Sequence, residues 1–297
     1  ALEASEEAVR IYRQLAAQHP EAFLPDLAMS FNNLGNRLSE LGRWDEALAA
    51  SEEAVRIRRQ LAARHLDAFL PALASSLNNL GKSLSEMGRR EEALKASEEA
   101  VSIRRQLAAQ RPEAFLPDLA SALHNLGVGL SELGRRNEAL AATEETVRIR
   151  RQLAAQRPDA FLPDLAMSVN NLGGRLIELG RWDEALAASK EAVEISRRLS
   201  AQGLEAFLPD LARALGTRGA VLWAQGEAAG AAAAFKEGMV CLKPLFLREP
   251  AAFVPFMTNL VAGYVQTCQA GGVEVDSRLL SDIMPMLLGG KGEGGPD

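Results

Sequence analysis

Residues 23–42 read FLPDLAMSFNNLGNRLSELG, from Phe23 to Gly42. Apolar side chains at Leu27, Phe31, Leu34, Leu38 and Leu41 recur at steps of three and four, the spacing that turns one face of an α-helix into a core. Pro25 suits the first turn of a helix, where its missing N–H is not needed, and Asp26 suits the positive N-terminal end. Gly42 is the residue type best able to take the left-handed conformation that closes a helix. The stretch therefore predicts a helix from Leu24 to Gly42. Outward along the chain, Phe-Leu-Pro returns at Phe69-Leu70-Pro71, Phe115-Leu116-Pro117, Phe161-Leu162-Pro163 and Phe207-Leu208-Pro209, each proline 46 positions after the last. A weaker copy, Phe253-Val254-Pro255, keeps the register near the C-terminus. A fixed period of this size marks a solenoid of stacked units in which each unit touches only its neighbours.

The rest of each period reads as a second helix. Arg43 to His65, RWDEALAASEEAVRIRRQLAARH, places Ala47, Leu48, Ser51, Ala54, Val55, Ile57 and Leu61 on an inner side and Glu52 and Arg56 outside. The arginine pairs Arg58-Arg59, Arg104-Arg105, Arg150-Arg151 and Arg197-Arg198 are offset by Glu52-Glu53 and Glu98-Glu99 and have no interleaved aromatics. They are read as a solvated outer face, not as a nucleic-acid footprint. The expected class is all-α, an α-solenoid of antiparallel helix pairs.

Composition narrows the function. The chain carries 33 Lys and Arg against 39 Asp and Glu, a net charge of −6, which disfavours a polyanionic partner or an anionic membrane surface. No stretch approaches the apolar length of a membrane span. The only two cysteines, Cys241 and Cys268, build neither a disulfide framework nor a metal site, and a reducing cytoplasm is expected. His19, His65 and His124 lie in different contexts, so no metal site is expected, and no serine or glycine motif suggests catalysis; no cofactor and no enzymatic activity are expected. Ala1 falls in mid-repeat, which is read as the start of a piece of a longer protein, and the arginine- and alanine-rich usage suggests a bacterial source.

Phe31, Leu34-Gly35, Leu38, Gly42, Ala47, Ser51 and Ala54, and again Leu77, Leu80-Gly81, Leu84, Gly88, Ala93, Ser97 and Ala100, resemble the tetratricopeptide repeat. The period departs from that family's usual value of roughly 34, so both helices are expected to be longer. With the runs Asn32-Asn33-Leu34, Asn78-Asn79-Leu80 and Asn170-Asn171-Leu172, the pattern is similar to the long-helix repeats of kinesin light chains. The resemblance implies a right-handed superhelix over residues 1–250, built of a half repeat and five full repeats. Degenerate capping helices are expected over 251–288 and a disordered, glycine-rich tail over 289–297.

In that family the first helix of each pair lines a concave groove that binds peptides. Carried over, the groove residues are Met29, Asn32, Asn33, Asn36 and Glu40 in the first repeat, and Asn78, Asn79, Lys82 and Glu86 in the second. They continue as His124, Asn125, Val128 and Glu132 in the third, and Met167, Asn170, Asn171, Gly174 and Glu178 in the fourth. Asparagine donates and accepts, so a row of it can pair with an extended backbone, or else brace neighbouring repeats. Asn36, Lys82, Val128 and Gly174 share one equivalent position and differ, as specificity residues would. A carboxylate clamp is not expected, because Ser121 and Asn125 stand where basic residues belong, and the row Glu40, Glu86, Glu132, Glu178 points to a basic or neutral protein or peptide. The competing reading is a structural spacer, or self-association through the terminal helices.

Overall fold

The computed structural model describes residues 1–202 and 205–289. Among these it contains thirteen α-helices, one 3-10 turn and no strand. They are α1 (Leu2–Gln18), α2 (Pro20–Glu40), α3 (Trp44–Arg64), α4 (Leu66–Glu86), α5 (Arg90–Gln110), α6 (Pro112–Glu132) and α7 (Arg136–Gln156). Then follow α8 (Pro158–Glu178), α9 (Trp182–Ser200), the 3-10 turn Glu205–Phe207, α10 (Leu208–Ala224), α11 (Ala228–Arg248), α12 (Pro250–Gly271) and α13 (Ser277–Gly289). The glycine-rich stretch 290–297, read as a disordered tail, lies outside the described residues. The chain divides into two units, 1–149 and 150–297, with the division inside α7.

One expectation needs correction. Phe-Leu-Pro does not open the first helix of the pair: α2 starts at Pro20, and Pro25 is its sixth residue; Pro71, Pro117 and Pro163 are likewise internal. Pro20, Pro112 and Pro158 hold the first helical turn instead, by the same reasoning that favoured Pro25 there. The internal proline has no N–H to offer the carbonyl four residues back, so each of these helices lacks one backbone bond near its start. Half-buried Phe23 and Leu24 pack against the cluster that contains Leu27, Phe31, Ile57 and Leu61, and this burial holds the extra turn in place. Only in α10, after the 3-10 turn, does the motif proline, Pro209, fall in the first turn.

The glycine stop is as expected. Gly42 has φ +70°, and the same conformation recurs at Gly88, Gly134, Gly180 and Gly226. Behind it the Arg43 N–H donates to the Leu38 carbonyl at 2.9 Å and the Gly42 N–H to Ser39 at 3.0 Å. These are the paired reverse bonds of a Schellman turn, and they satisfy carbonyls the helix end would otherwise strand.

In the unit 1–149, consecutive helices pack antiparallel, and the first helices also touch one another, α2 with α4 and α4 with α6. The inner side of α3 is closed: Ala47, Ala54, Ile57 and Leu61 are all 1% exposed or less. Close approach at the pair is set by Gly35, where an added Cβ would lie 3.1 Å from Ser51 Oγ and 3.3 Å from the Ala47 carbonyl oxygen. Ser51 in turn shares a buried hydrogen bond of 3.2 Å with Ser83.

The unit 150–297 uses the same plan until α11. There Phe235 stands where Ser51, Ser97, Thr143 and Ser189 stand in earlier repeats, and the ring is admitted by two glycines, Gly219 and Gly263. The helix α13 packs on α11 and α12, burying Leu279 and Ile283, and the Asp276 N–H donates to the Tyr264 hydroxyl at 3.0 Å.

Candidate functional site

The long first helices position the predicted groove residues by simple phase: positions beside the buried stripe, but not in it, face away from α3 and α5. On α2, Met29 is 48% exposed, and Asn33, Asn36 and Glu40 are exposed too, with Glu40 accepting from Arg37 Nη1 at 2.7 Å. On α4, Asn78 and Asn79 are half-buried and Lys82 is exposed, its Nζ 3.7 Å from Glu86. On α6, His124 is half-buried, while Asn125, Val128 and Glu132 are exposed.

Part of this set converges. A cavity of about 300 Å³ is lined by Asn78, Asn79, Gly81, Lys82 and Ser85 of α4, by Arg90, Ala93 and Ser97 of α5, and by Asn125, Val128, Gly129 and Glu132 of α6. The α2 residues, Glu86 and His124 do not line it. Gly81, Arg90, Ala93, Ser97 and Gly129 were not among the predicted groove residues. For Gly129 a signal was present: the equivalent positions carry Arg37, Ser83 and Arg175. In the unit 150–297, Met167 is 36% exposed, Asn171 and Gly174 are half-buried, and exposed Glu178 pairs with Arg175 at 3.0 Å.

The asparagines divide by position. The first of each pair turns towards the joint between repeats: Asn32 Nδ2 donates to Ser76 Oγ at 2.9 Å. The position equivalent to Ser76 is Ala122 for Asn78 and Ala214 for Asn170, neither of which has a hydroxyl. The Oδ1 atoms of Asn32, Asn78 and Asn170 are all buried without a hydrogen-bond partner. The second asparagine, Asn33, Asn79 or Asn171, makes no such tie, and Asn33 and Asn171 are more exposed than the first of their pair. The glutamate row is also engaged within the array: Ser39 Oγ donates to Glu86 at 3.1 Å and Ser85 Oγ to Glu132 at 3.2 Å.

Three of the four arginine pairs are not a uniformly solvated face, and their two members do different work; in the fourth, Arg197 and Arg198 are both exposed, as expected. Arg104 is 5% exposed, donating to Asp118 at 2.6 Å and to Ser75 Oγ at 2.8 Å, and Arg150 is 4% exposed, donating to the Asp164 carbonyl at 2.9 Å. Half-buried Arg58 donates to the Pro25 carbonyl. Desolvation lowers the pKa of all three, opposed by Asp26, Asp118 and Asp164 respectively. The second members stay outside and reach the next repeat, Arg59 to Glu99 and Arg105 to Glu145, both at 2.5 Å. Exposed Arg56 pairs with Glu53, one residue along from Glu52.

Among the described residues no helix is long and apolar enough to cross a membrane. Models described as tetratricopeptide repeat match residues 26–106, 73–152 and 165–200. No curated protein matches the chain. Among solved structures, BtubC (BKLC) from P. vanneervenii is 19% identical, with a TM-score of 0.67 over 82% of this chain and 90% of that one. A Podosopora anserina putative kinesin light chain with nearly identical TPR-like repeats is 20% identical, with a TM-score of 0.59 over 74% of this chain and 97% of that one. YrrB, described as a TPR protein with an unusual peptide-binding site, is 16% identical, with a TM-score of 0.50 over 79% and 93%. At these identities the structural likeness speaks to fold.

Proposed function

Since the chain belongs to the tetratricopeptide repeat family, in a long-helix form similar to kinesin light chain repeats, we propose that it binds an extended protein or peptide segment along its first helices, as a docking region of a larger bacterial, cytoplasmic protein. Repeats of this family are typically non-catalytic scaffolds, and the mechanism here is differential binding without chemistry. The observation that carries the reading is the cavity between α4 and α6, where six of the predicted positions, Asn78, Asn79, Lys82, Asn125, Val128 and Glu132, meet. Its rim mixes carboxamides with charges of both signs, Lys82 and Arg90 against Glu132, which favours a neutral segment within the basic-or-neutral class. Asn79 and Asn125 have the donors and acceptors to pair with a backbone whatever its sequence. The array is proposed to run over 1–250 and to be closed by the helices of 251–288.

The test is a displayed-peptide selection against the full chain, followed by the triple substitution Asn79→Ala, Lys82→Ala and Asn125→Ala. Selected peptides should bind the variant at least about tenfold more weakly, a loss of some 1.4 kcal/mol, with an unchanged melting curve. Undiminished binding would reject the groove.

Self-association through the terminal helices is the competing reading. Light scattering across a concentration series decides it, and a strict monomer removes this second reading.

A further inference from the structure

The cavity opens beside a position where the repeats differ. Gly129 of α6 stands where Arg37, Ser83 and Arg175 stand in the other repeats, and a Cβ added there would meet nothing within 4 Å. Where arginine occupies this position it pairs one turn along, Arg37 with Glu40 at 2.7 Å and Arg175 with Glu178 at 3.0 Å. Glu132 has no such neighbour on α6 and accepts from Ser85 instead. Part of the lining is small or apolar, with Gly81 and Ala93 buried, Gly129 half-buried and Val128 exposed at the edge. A volume of about 300 Å³ is at the bottom of the range for small-molecule sites, the size for one side chain and not for a cofactor.

We infer that this hollow receives a single bulky, uncharged apolar side chain, of leucine, methionine or phenylalanine size, from the bound segment. The inference rests on the groove reading above and adds an address and a class of residue to it. A charged side chain is disfavoured because the small and apolar groups of the hollow would strip its hydration, while Lys82 is already paired with Glu86 and Glu132 already accepts from Ser85. Binding is then uneven along the array: the third repeat selects, while outward-facing asparagines elsewhere only hold.

The chain itself supplies the blocking substitution. Gly129→Arg recreates the arginine of repeats one and four, fills the hollow and can pair with Glu132, and it exchanges a weak helix former for a good one, so α6 should melt no earlier. The probes are N-acetyl-leucinamide and N-acetyl-phenylalaninamide, with N-acetyl-aspartic acid amide and N-acetyl-lysinamide as charged counterparts, read by amide-resolved NMR on the full chain. The two apolar probes should shift Asn79, Val128 and Gly129 saturably, the charged ones at least about tenfold more weakly, and Gly129→Arg should abolish the effect. Equal shifts from charged probes, or shifts that survive Gly129→Arg, overturn the inference. Selected peptides that bind wild type and Gly129→Arg equally overturn it while leaving the groove reading standing. The absence of any peptide binder to the wild type overturns both. Gly129→Ala, which leaves most of the hollow open, should retain probe binding and controls for any change in helix stability.

Discussion

A single glycine can be indispensable or free in this chain, and the space around its Cα decides which. At Gly35 a methyl group would press on Ser51 Oγ at 3.1 Å and on the Ala47 backbone oxygen at 3.3 Å, and the backbone cannot yield without opening the helix pair. Gly35→Ala should therefore cost about 1–3 kcal/mol, whereas Gly129→Ala, with open space and ordinary helical dihedrals, should gain about 0.5–1 kcal/mol; paired thermal melts check both. Position in the repeat assigns Gly42 its helix-closing role, and its φ of +70° agrees; the tight packing at Gly35 is seen only in the structure. Arg58, Arg104 and Arg150 were harder. Doubled arginines look solvated, but Arg58 lies four residues after Ala54 and three before Leu61, both buried, so the helical phase already placed it on the inner side. What the sequence could not reveal was the partner, since Asp118 and Ser75 reach Arg104 from two other helices.

At the scale of the helix, the internal prolines trade local bonding for placement. Pro71 in α4 deprives the Asp67 carbonyl of its usual donor, and no first-turn proline accompanies it, since this helix opens at Leu66. Replacing it, Pro71→Ala, should restore that bond and raise stability by roughly 1 kcal/mol, less than the ~3 kcal/mol of a mid-helix proline because the site is in the second turn. A lower melting temperature in this variant would mean that the proline ring itself packs better than a methyl group. Helix ends were legible wherever the signal was one residue with one conformational demand, as at Gly42. Helix starts were not, because Pro20 and Pro25 satisfy the same first-turn rule five residues apart, and the choice between them is made by the burial of Phe23 and Leu24 against α3. Of the groove, the helix and its outward face could be read from the period; the cavity could not, because it depends on what α4, α5 and α6 leave unfilled between them.

For the molecule as a whole, many of the ion pairs sit outside and recur with the period. Glu46, Glu92, Glu138 and Glu184 each accept from an arginine three residues back, and those bonds hold the four carboxyls below their ordinary value of 4.5. A carboxyl depressed in the folded state stabilises above its unfolded pKa and ceases to do so as pH falls through the folded one. The melting temperature should stay level from neutral pH to about 5 and decline below about 4.5, and the decline should be shallower when all four glutamates are changed to glutamine. Identical declines in the two proteins would place the acid sensitivity elsewhere. Exposed bridges such as Arg59–Glu99 are worth only about 0.2–1 kcal/mol each, so the apolar stripes, not the charges, set cohesion. The joint built on Gly35, Ala47 and Ser51 is reproduced atom for atom in kind by Gly81, Ala93 and Ser97, with the same neighbours at 3.3–3.4 Å. Such joints make length a variable: a 46-residue cassette could be duplicated or excised with the glycine–alanine–serine contacts kept, although polar partners across the repeats, such as Ser76 for Asn32, would change. Under that kind of drift, a hollow like the one at Gly129, lined from Asn78 to Glu132, moves only when the two repeats that line it are copied together, so a recognition point is relocated by copying a pair of repeats instead of by redesign.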